Sequence, residues 1–190
     1  ALKANYGIRF VLDQVVRKST TKKSWSTNDA MKKSTSGGVN ATSPTTKLNL
    51  WSCTLGGGIL GYAQFPGGAA ATDGVVILNS AFGRTGTVSA PYNKGRTATH
   101  EVGHWLNLRH IWGDATCGSD LVSDTPTAQT ANYGCPSFPH YGSCSTTKPE
   151  MTMNYMDYVD DACMYMFTNG QKARSLALFA TGGARAAFAK

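Results

Sequence analysis

The chain has 190 residues, of which 41% are hydrophobic and only 15% are charged, and its net charge is +7. This length predicts a single domain over 1–190, and the aromatic content of 10% excludes a disordered chain. No apolar stretch reaches the roughly 18 residues that cross a bilayer, so we expect no membrane span. No signal peptide opens the chain, which predicts either a cytosolic protein or a processed mature form.

Short apolar runs predict four strands in the first half of the chain. They cover residues 8–16, 47–53, 59–65 and 74–81. A polar connection over 17–46 separates the first two strands and holds a short helix near 28–33.

Helical periodicity is found in two segments. The first covers 97–108 and follows a glycine-rich loop over 83–95. The second covers 168–179, with Thr168 as its N-cap, and mostly irregular chain over 110–166 lies between them. Strands come first and helices follow without regular alternation, which favours an α+β fold over a doubly wound sheet.

The charged residues are unevenly distributed. Residues 1–33 hold eight basic residues, whereas residues 101–161 hold eight of the eleven acidic ones. A nucleic-acid binder using the basic segment would show salt-sensitive retention on DNA. Because the segment shows no nucleic-acid motif and no basic stripe with regularly interleaved aromatic residues, we interpret it as a solvated surface and expect no nucleic-acid partner. The acidic region is suited to a metal cation or a basic substrate.

Four of the five cysteines lie in one loop-rich stretch, at Cys117, Cys135, Cys144 and Cys163. Two disulfides would limit the chain entropy of such a stretch, and they predict an oxidising compartment. A zinc cluster is the alternative, but the paired C-x-x-C spacing that it needs is absent. Cys53 lies in a predicted strand, and we expect a buried free thiol there.

The strongest functional signal lies in the first predicted helix. His100 and His104 are four residues apart, so they point to the same face of the helix and can bind one Zn²⁺ ion. Glu101 is adjacent to the first of these ligands, where its carboxylate can act as general base towards a metal-bound water.

His110 is the third candidate zinc ligand. On a continuing helix it would lie on the wrong face, so the helix must end and the chain must turn back before it. Asn107 stands at the turn, and asparagine tolerates the left-handed conformation that the turn requires. Three histidines leave a fourth position open, which is typical of a catalytic rather than a structural zinc site.

This pattern resembles H-E-x-x-H-x-x-G-x-x-H of the metzincin metalloproteases, with Asn107 in place of the glycine. The second mark of metzincins is a methionine in a tight turn beneath the zinc, for which Met156 is the candidate. Tyr158 matches the tyrosine that metzincins often place near the zinc. The alternatives are a core methionine and a packed aromatic residue.

The chain resembles most specifically the pappalysin family, in its secreted bacterial and archaeal branch. The resemblance is carried by residues 60–66, 72–76, 100–110, 123–126 and 154–158. It implies a metzincin-like fold, with a twisted, mostly parallel sheet and helices in an upper lobe over about 1–106. An irregular, disulfide-bonded lower lobe over about 107–190 would contain the Met-turn and the C-terminal helix.

The same resemblance implies two disulfides, Cys117–Cys144 and Cys135–Cys163. It also implies a secreted protein in its mature form and a latent precursor with an inhibitory pro-segment.

The predicted strand over 59–64 would be the edge of the sheet along the cleft. An extended peptide can pair with the free backbone groups of an edge strand, and Gly61 leaves room for close approach. Its substrate-binding candidates are Leu60, Gly61, Tyr62 and Ala63. The alternative is an edge strand without a ligand.

Specificity depends on the residues before the last cysteine. Several relatives that cut beside Arg or Lys carry an acidic residue there, whereas Ala162 directly precedes Cys163 in this chain. Alanine cannot pair with a guanidinium, which predicts a broad or apolar preference. If Asp160 or Asp161 turns inward instead, a preference for Arg is retained.

Oxygen-bearing residues follow the third histidine at Asp114, Asp120, Asp124 and Thr125. Oxygen ligands in a loop are typical of Ca²⁺ sites, and the resemblance implies structural calcium here. Solvated turn residues are the alternative.

The sequence therefore predicts a secreted zinc endopeptidase that acts on proteins or peptides. Glu101 is the expected general base, and zinc together with Tyr158 is expected to stabilise the oxyanion. A zinc amidase acting on a non-protein substrate and a secreted binding module without turnover are the alternatives. Glu101 argues against the binding module, which needs no general base.

Overall fold

The computed structural model describes residues 4–189, and its sheet has three strands. These are β1 (Leu50–Cys53), β2 (Gly61–Ala63) and β3 (Val75–Leu78). The order is β1-β3-β2, with β1 parallel and β2 antiparallel to the central strand. The sheet is therefore mixed, and the expectation of a mostly parallel sheet holds for only one of its two pairs.

Two α-helices accompany the sheet, so the predicted α+β class is confirmed. Helix α1 covers Arg96–Trp105 and helix α2 covers Asn169–Leu176. The predicted N-cap of α2 is confirmed, because the Thr168 hydroxyl accepts a hydrogen bond from the Gln171 N–H and the Gln171 side chain accepts one from the Thr168 N–H. In residues 4–189 no helix is long and apolar enough to span a membrane.

Short 3-10 turns complete the secondary structure. They cover Ala30–Lys32, Ser34–Ser36, Ala70–Thr72, Asn79–Ala81, Asp161–Cys163, Ala177–Phe179 and Ala186–Phe188. The first stands where a short helix is expected near 28–33, and the second follows directly after that range.

The strand predicted over 8–16 is wrong. This segment is irregular, and Phe10, Val11 and Leu12 are 57%, 78% and 78% exposed. Its branched apolar residues satisfy the local preference for a strand, but a strand forms only where a neighbour supplies backbone hydrogen bonds.

Alternating side chains of β3 serve two different cores, as the period of a strand requires. Val76 packs on one face of the sheet with Trp25, Met31 and Leu55. On the other face, a second core contains Val75, Ile77, Trp105 and Leu106, and it is joined by Phe179 and Phe188. The C-terminal segment therefore returns to the core beside the sheet.

The irregular region is cross-linked by disulfides between Cys117 and Cys144 and between Cys135 and Cys163. These are the pairings that the resemblance implies. Cys53 is free, as expected, but it is half-buried rather than fully buried.

A buried ion pair joins the C-terminal segment to the sheet and to α1. The Arg185 guanidinium donates to both carboxylate oxygens of Asp73, at 2.7 and 3.0 Å. Its Nε also donates to the carbonyl of Trp105 at 2.9 Å, and the indole N–H of Trp105 donates to Asp73 at 3.1 Å. The guanidinium lies 3.7 Å from the centre of the Trp105 ring, so one arginine fixes the end of α1.

Removing Arg185 should destabilise the fold strongly. Arg185→Ala leaves the Asp73 carboxylate buried without its cation, and breaking a buried pair in this way costs about 3–5 kcal/mol. We expect the free energy of unfolding in urea to fall by that amount. The control, Arg84→Ala, removes an exposed arginine and should change the free energy of unfolding by less than about 0.5 kcal/mol. Equal midpoints of urea unfolding for the two variants would contradict this role of Arg185.

Candidate active site

Three imidazole rings converge beside helix α1. His100 and His104 lie on consecutive turns of the helix, and their Nε2 atoms are 3.1 Å apart. The Nε2 atom of His110 lies 3.2 Å from that of His100 and 3.0 Å from that of His104. In the described part of the chain, these three residues form the one group of at least three histidine, cysteine or acidic side chains close enough to hold a metal ion.

The other nitrogen of each ring faces a hydrogen-bond acceptor. Nδ1 of His100 lies 2.7 Å from the carbonyl of Tyr155, and Nδ1 of His104 lies 2.8 Å from the carbonyl of Leu108. Nδ1 of His110 is 2.5 Å from a carboxylate oxygen of Asp114. Because these acceptors carry no proton, we assign the proton of each ring to Nδ1, which leaves a lone pair on every Nε2.

This arrangement fits a bound cation. Three lone pairs that point at one another within 3.2 Å repel, and they become compatible when a metal ion accepts all three. Burial keeps the rings neutral, because it lowers the pKa of His104 to about 4 and also lowers the pKa of His100 and of His110. Neutral imidazoles held by outer acceptors are the form in which histidine binds zinc.

The turn before His110 has the predicted conformation. Asn107 has a φ of 68°, in the left-handed region, and its N–H donates to the carbonyl of His104. The carbonyl of Asn107 accepts from Nε of Arg174 at 2.7 Å. The chain therefore leaves the helix axis at this residue, and His110 returns to the site.

Glu101 is buried against the edge strand. A side chain at Gly61 would place its Cβ 2.9 Å from Cγ of Glu101 and 2.8 Å from the carbonyl oxygen of Val76. Only glycine fits between them, so Gly61 allows the carboxyl group to lie directly beneath β2. Burial alone raises the pKa of Glu101 to about 8. A divalent cation at the histidines would lower this pKa, because it favours the ionised carboxylate.

Met156 packs directly against helix α1. Its side chain is fully buried, and a Cβ at Gly103 would overlap its sulfur atom. The carbonyl of Met156 accepts from the N–H of Ile111 at 3.2 Å. The methionine turn and the helix that carries the ligands are thus in direct contact through a glycine.

Sequence reasoning missed the polar groups that hold the methionine turn. The side-chain oxygen Oδ1 of Asn154 accepts from the N–H of Met156, and the side-chain amides of Asn154 and Gln171 pair with each other. The amide of Asn132 donates to two buried carboxylates, those of Glu150 and Asp157. Apart from the capping position of Gln171, no local spacing signals these contacts, which join distant parts of the chain.

Aromatic rings line the third histidine. His110 stacks on Trp112 with a centroid distance of 4.3 Å, and Tyr158 lies edge-on to both rings at 4.8 Å. Tyr133, which is exposed, lies 6.1 Å from Tyr158. Burial raises the pKa of Tyr158 to about 12, so its hydroxyl keeps a proton at neutral pH. The stacking role of Trp112 was not predicted.

The four candidates on the edge strand are all half-buried, and their side chains point in different directions. Tyr62 turns its side chain towards the core of Trp25 and Met31, where its hydroxyl donates to Asp29 at 2.9 Å. Ala63 packs towards the opposite core. Residues 60–63 can therefore offer a substrate mainly their backbone.

The two candidate specificity acids are placed differently. The Asp161 carboxylate is 2% exposed and accepts from the N–H groups of Lys94 and Arg96. Asp160 is half-buried, and its side chain makes no hydrogen bond within residues 4–189. Ala162 is exposed. Of the two acids, only Asp160 has a free carboxylate.

The four calcium candidates have separate partners. Asp114 contacts His110, whereas Asp124 accepts from the Thr168 hydroxyl and the Gly170 N–H at the start of α2. Asp120 accepts from the Thr125 hydroxyl at 2.7 Å. Only Asp120 and Thr125 are in direct contact with each other.

A helix that carries two metal-binding histidines and the glutamate, with a third histidine returning from a turn, defines the metzincin class of metalloproteases. Within that class, the family described as pregnancy-associated plasma protein-A matches residues 52–180. The match covers more than half of the chain, which belongs to this family, the pappalysins.

Known relatives agree with this assignment. The chain is 39% identical to extracellular metalloprotease 1 of Coccidioides posadasii over 181 residues, which is 90% of this chain and 62% of that protein. It is 51% identical to mirolysin solved with compound 9, with a TM-score of 0.87 over 90% of this chain and 67% of that one. Mature mirolysin of Tannerella forsythia with a cleaved peptide gives 50% identity and a TM-score of 0.86, over 89% of this chain and 66% of that one. The chain spans less than two thirds of the curated relatives it matches.

Proposed function

We propose that the chain is the catalytic domain of a secreted zinc endopeptidase. The observation that carries this proposal is the convergence of three neutral histidine Nε2 atoms, two of them from buried side chains of the helix that also carries the buried Glu101. His100, His104 and His110 would hold the zinc ion, which when bound polarises a peptide carbonyl and activates water.

The chain's own residues supply the remaining functions. Glu101, buried beneath β2, is placed to accept a proton from the attacking water and to return it to the leaving amine. The ring of Tyr158 lies beside those of His100 and His110, and its hydroxyl, which stays protonated at neutral pH, would donate a hydrogen bond to the developing oxyanion. The outer edge of β2 would align an extended peptide by backbone hydrogen bonds.

This edge strand favours a peptide over the non-protein substrate of an amidase. Gly61 of β2 lies in contact range of Glu101, so a peptide paired with β2 would run past the general base. The relatives are named extracellular metalloproteases, and a promirolysin mutant is among the similar structures. These names support secretion and a precursor with an inhibitory pro-segment.

Glu101→Gln should lower peptidase activity by about 10²–10⁴-fold, because general-base catalysis contributes that much. Zinc content and melting temperature should stay close to wild type, since the three histidines are unchanged. The assay is casein digestion with and without a zinc chelator, and Asp13→Asn, at an exposed carboxylate, is the matched control. Wild-type turnover by Glu101→Gln would remove Glu101 from the mechanism.

We further propose Asp160 as the acidic residue of the pocket past the scissile bond. Asp161 is committed to backbone N–H groups, whereas the Asp160 carboxylate is free and half-buried. It lies near Tyr92, whose pKa is raised by burial and by the charges of Asp160 and Asp161. On this proposal the enzyme would prefer Arg or Lys after the scissile bond, in contrast to the broad or apolar preference expected from Ala162.

A charge-assisted contact to Asp160 is worth about 1.5–3 kcal/mol. Asp160→Asn should therefore lower kcat/KM for peptides with Arg after the scissile bond by roughly 10- to 100-fold, while peptides with Leu there change little. Cleavage of the matched Arg and Leu peptides measures this ratio. Wild-type protein that cuts both peptides equally would refute the assignment.

Structural calcium is a separate proposal, centred on Asp120 and Thr125. The buried Asp120 carboxylate accepts hydrogen bonds only from neutral donors among the described residues, and burial raises its pKa. A nearby Ca²⁺ ion would offset this cost.

Calcium should accordingly raise the melting temperature of the zinc-loaded protein, because a ligand that binds only the folded state stabilises it. Asp120→Ala should reduce this shift. Identical melting curves in calcium and in a calcium-selective chelator would exclude the site.

A further inference from the structure

Helix α1 begins without a capping side chain of its own. Its N-cap is Gly95, with a φ of 75°, and no side-chain hydrogen bond is made from that position. The first N–H groups of a helix have no partner within it, and here they precede the zinc ligand His100 by only one turn. Their partner must come from elsewhere in the chain.

Asp161 supplies a partner for the first of these groups. Its Oδ2 accepts from the N–H of Lys94 at 2.7 Å and from the N–H of Arg96 at 3.2 Å. The residue is 2% exposed, so water screens its charge little. A buried carboxylate at this end of the helix also interacts favourably with the helix dipole.

The position of Asp161 links this cap to the other half of the site. It stands three residues after Tyr158, and its own N–H donates to the carbonyl of Pro91 at 3.3 Å. Cys163, in the same 3-10 turn, is held by the disulfide to Cys135. One side chain therefore joins the segment that carries Tyr158 to the helix that carries Glu101.

We propose that Asp161 is a positioning residue that fixes helix α1 relative to the Tyr158 segment, and not a residue that binds substrate. The effect on turnover rests on the proposed peptidase function. Loss of the cap would let the start of α1 shift, and small misplacements of catalytic groups lower rates by about 10- to 100-fold.

The test compares Asp161→Ala and Asp161→Asn with Asp160→Asn. For each variant, kcat and KM are measured on matched peptides with Arg or Leu after the scissile bond. We expect Asp161→Ala to lower kcat by about 10- to 100-fold on both peptides. The ratio of kcat/KM for the Arg peptide to that for the Leu peptide, and KM itself, should not change. Asp161→Asn should restore much of kcat, because its amide oxygen can accept the same two hydrogen bonds. Asp160→Asn should lower the ratio of kcat/KM for the Arg peptide to that for the Leu peptide.

A second readout does not require activity. We expect Asp161→Ala to release zinc to a chromogenic chelator faster than wild type, and Asp161→Asn and the control Asp13→Asn to release it at nearly the wild-type rate. If wild type proves inactive, the peptidase proposal fails, and zinc release alone decides the role of Asp161. Wild-type kcat and zinc release in Asp161→Ala, or a change in the Arg-to-Leu ratio, would overturn the proposal. If Asp161→Ala does not fold, Asp161→Ser takes its place, because its hydroxyl is too short to reach both N–H groups; the expected losses of kcat and of zinc retention and the overturning outcomes are the same.

Discussion

Three uncharged imidazole rings, two buried and one partly buried, meet at one point, and much of the surrounding structure serves to keep them there. Their Nε2 atoms lie 3.0–3.2 Å apart, a spacing that three lone pairs tolerate only around a cation. Each ring is oriented by an acceptor at Nδ1, and two of these acceptors are backbone carbonyls, of Tyr155 and Leu108. The path of the main chain therefore sets the orientation of the ligands.

The helix that carries two of the rings is held at both ends by charged side chains from distant segments. Asp161 accepts a hydrogen bond from the N–H of Arg96 at its start, and Arg185 donates one to the carbonyl of Trp105 at its end. Met156 packs under its middle at Gly103. Since α1 has only ten residues, too few to be stable alone, these contacts couple the geometry of the site to the overall fold.

The sequence predicted the parts of the site that depend on local spacing. The four-residue interval of His100 and His104 and the left-handed turn at Asn107 follow from helix geometry and from the conformational tolerance of asparagine. The helix cap at Thr168 is likewise local. The segment over 8–16 was mispredicted, because pairing depends on a neighbouring strand. The role of Asp161 could not be predicted either, since its hydrogen bonds join residues 65 and 67 positions away.

The account depends most directly on one zinc ion between the three histidines. Anomalous diffraction recorded above and below the zinc absorption edge of the purified protein tests this claim. We predict a single strong peak about 2.0–2.1 Å from the Nε2 atoms of His100, His104 and His110. No peak between these rings in zinc-containing buffer, or a zinc peak at another site alone, would contradict the account.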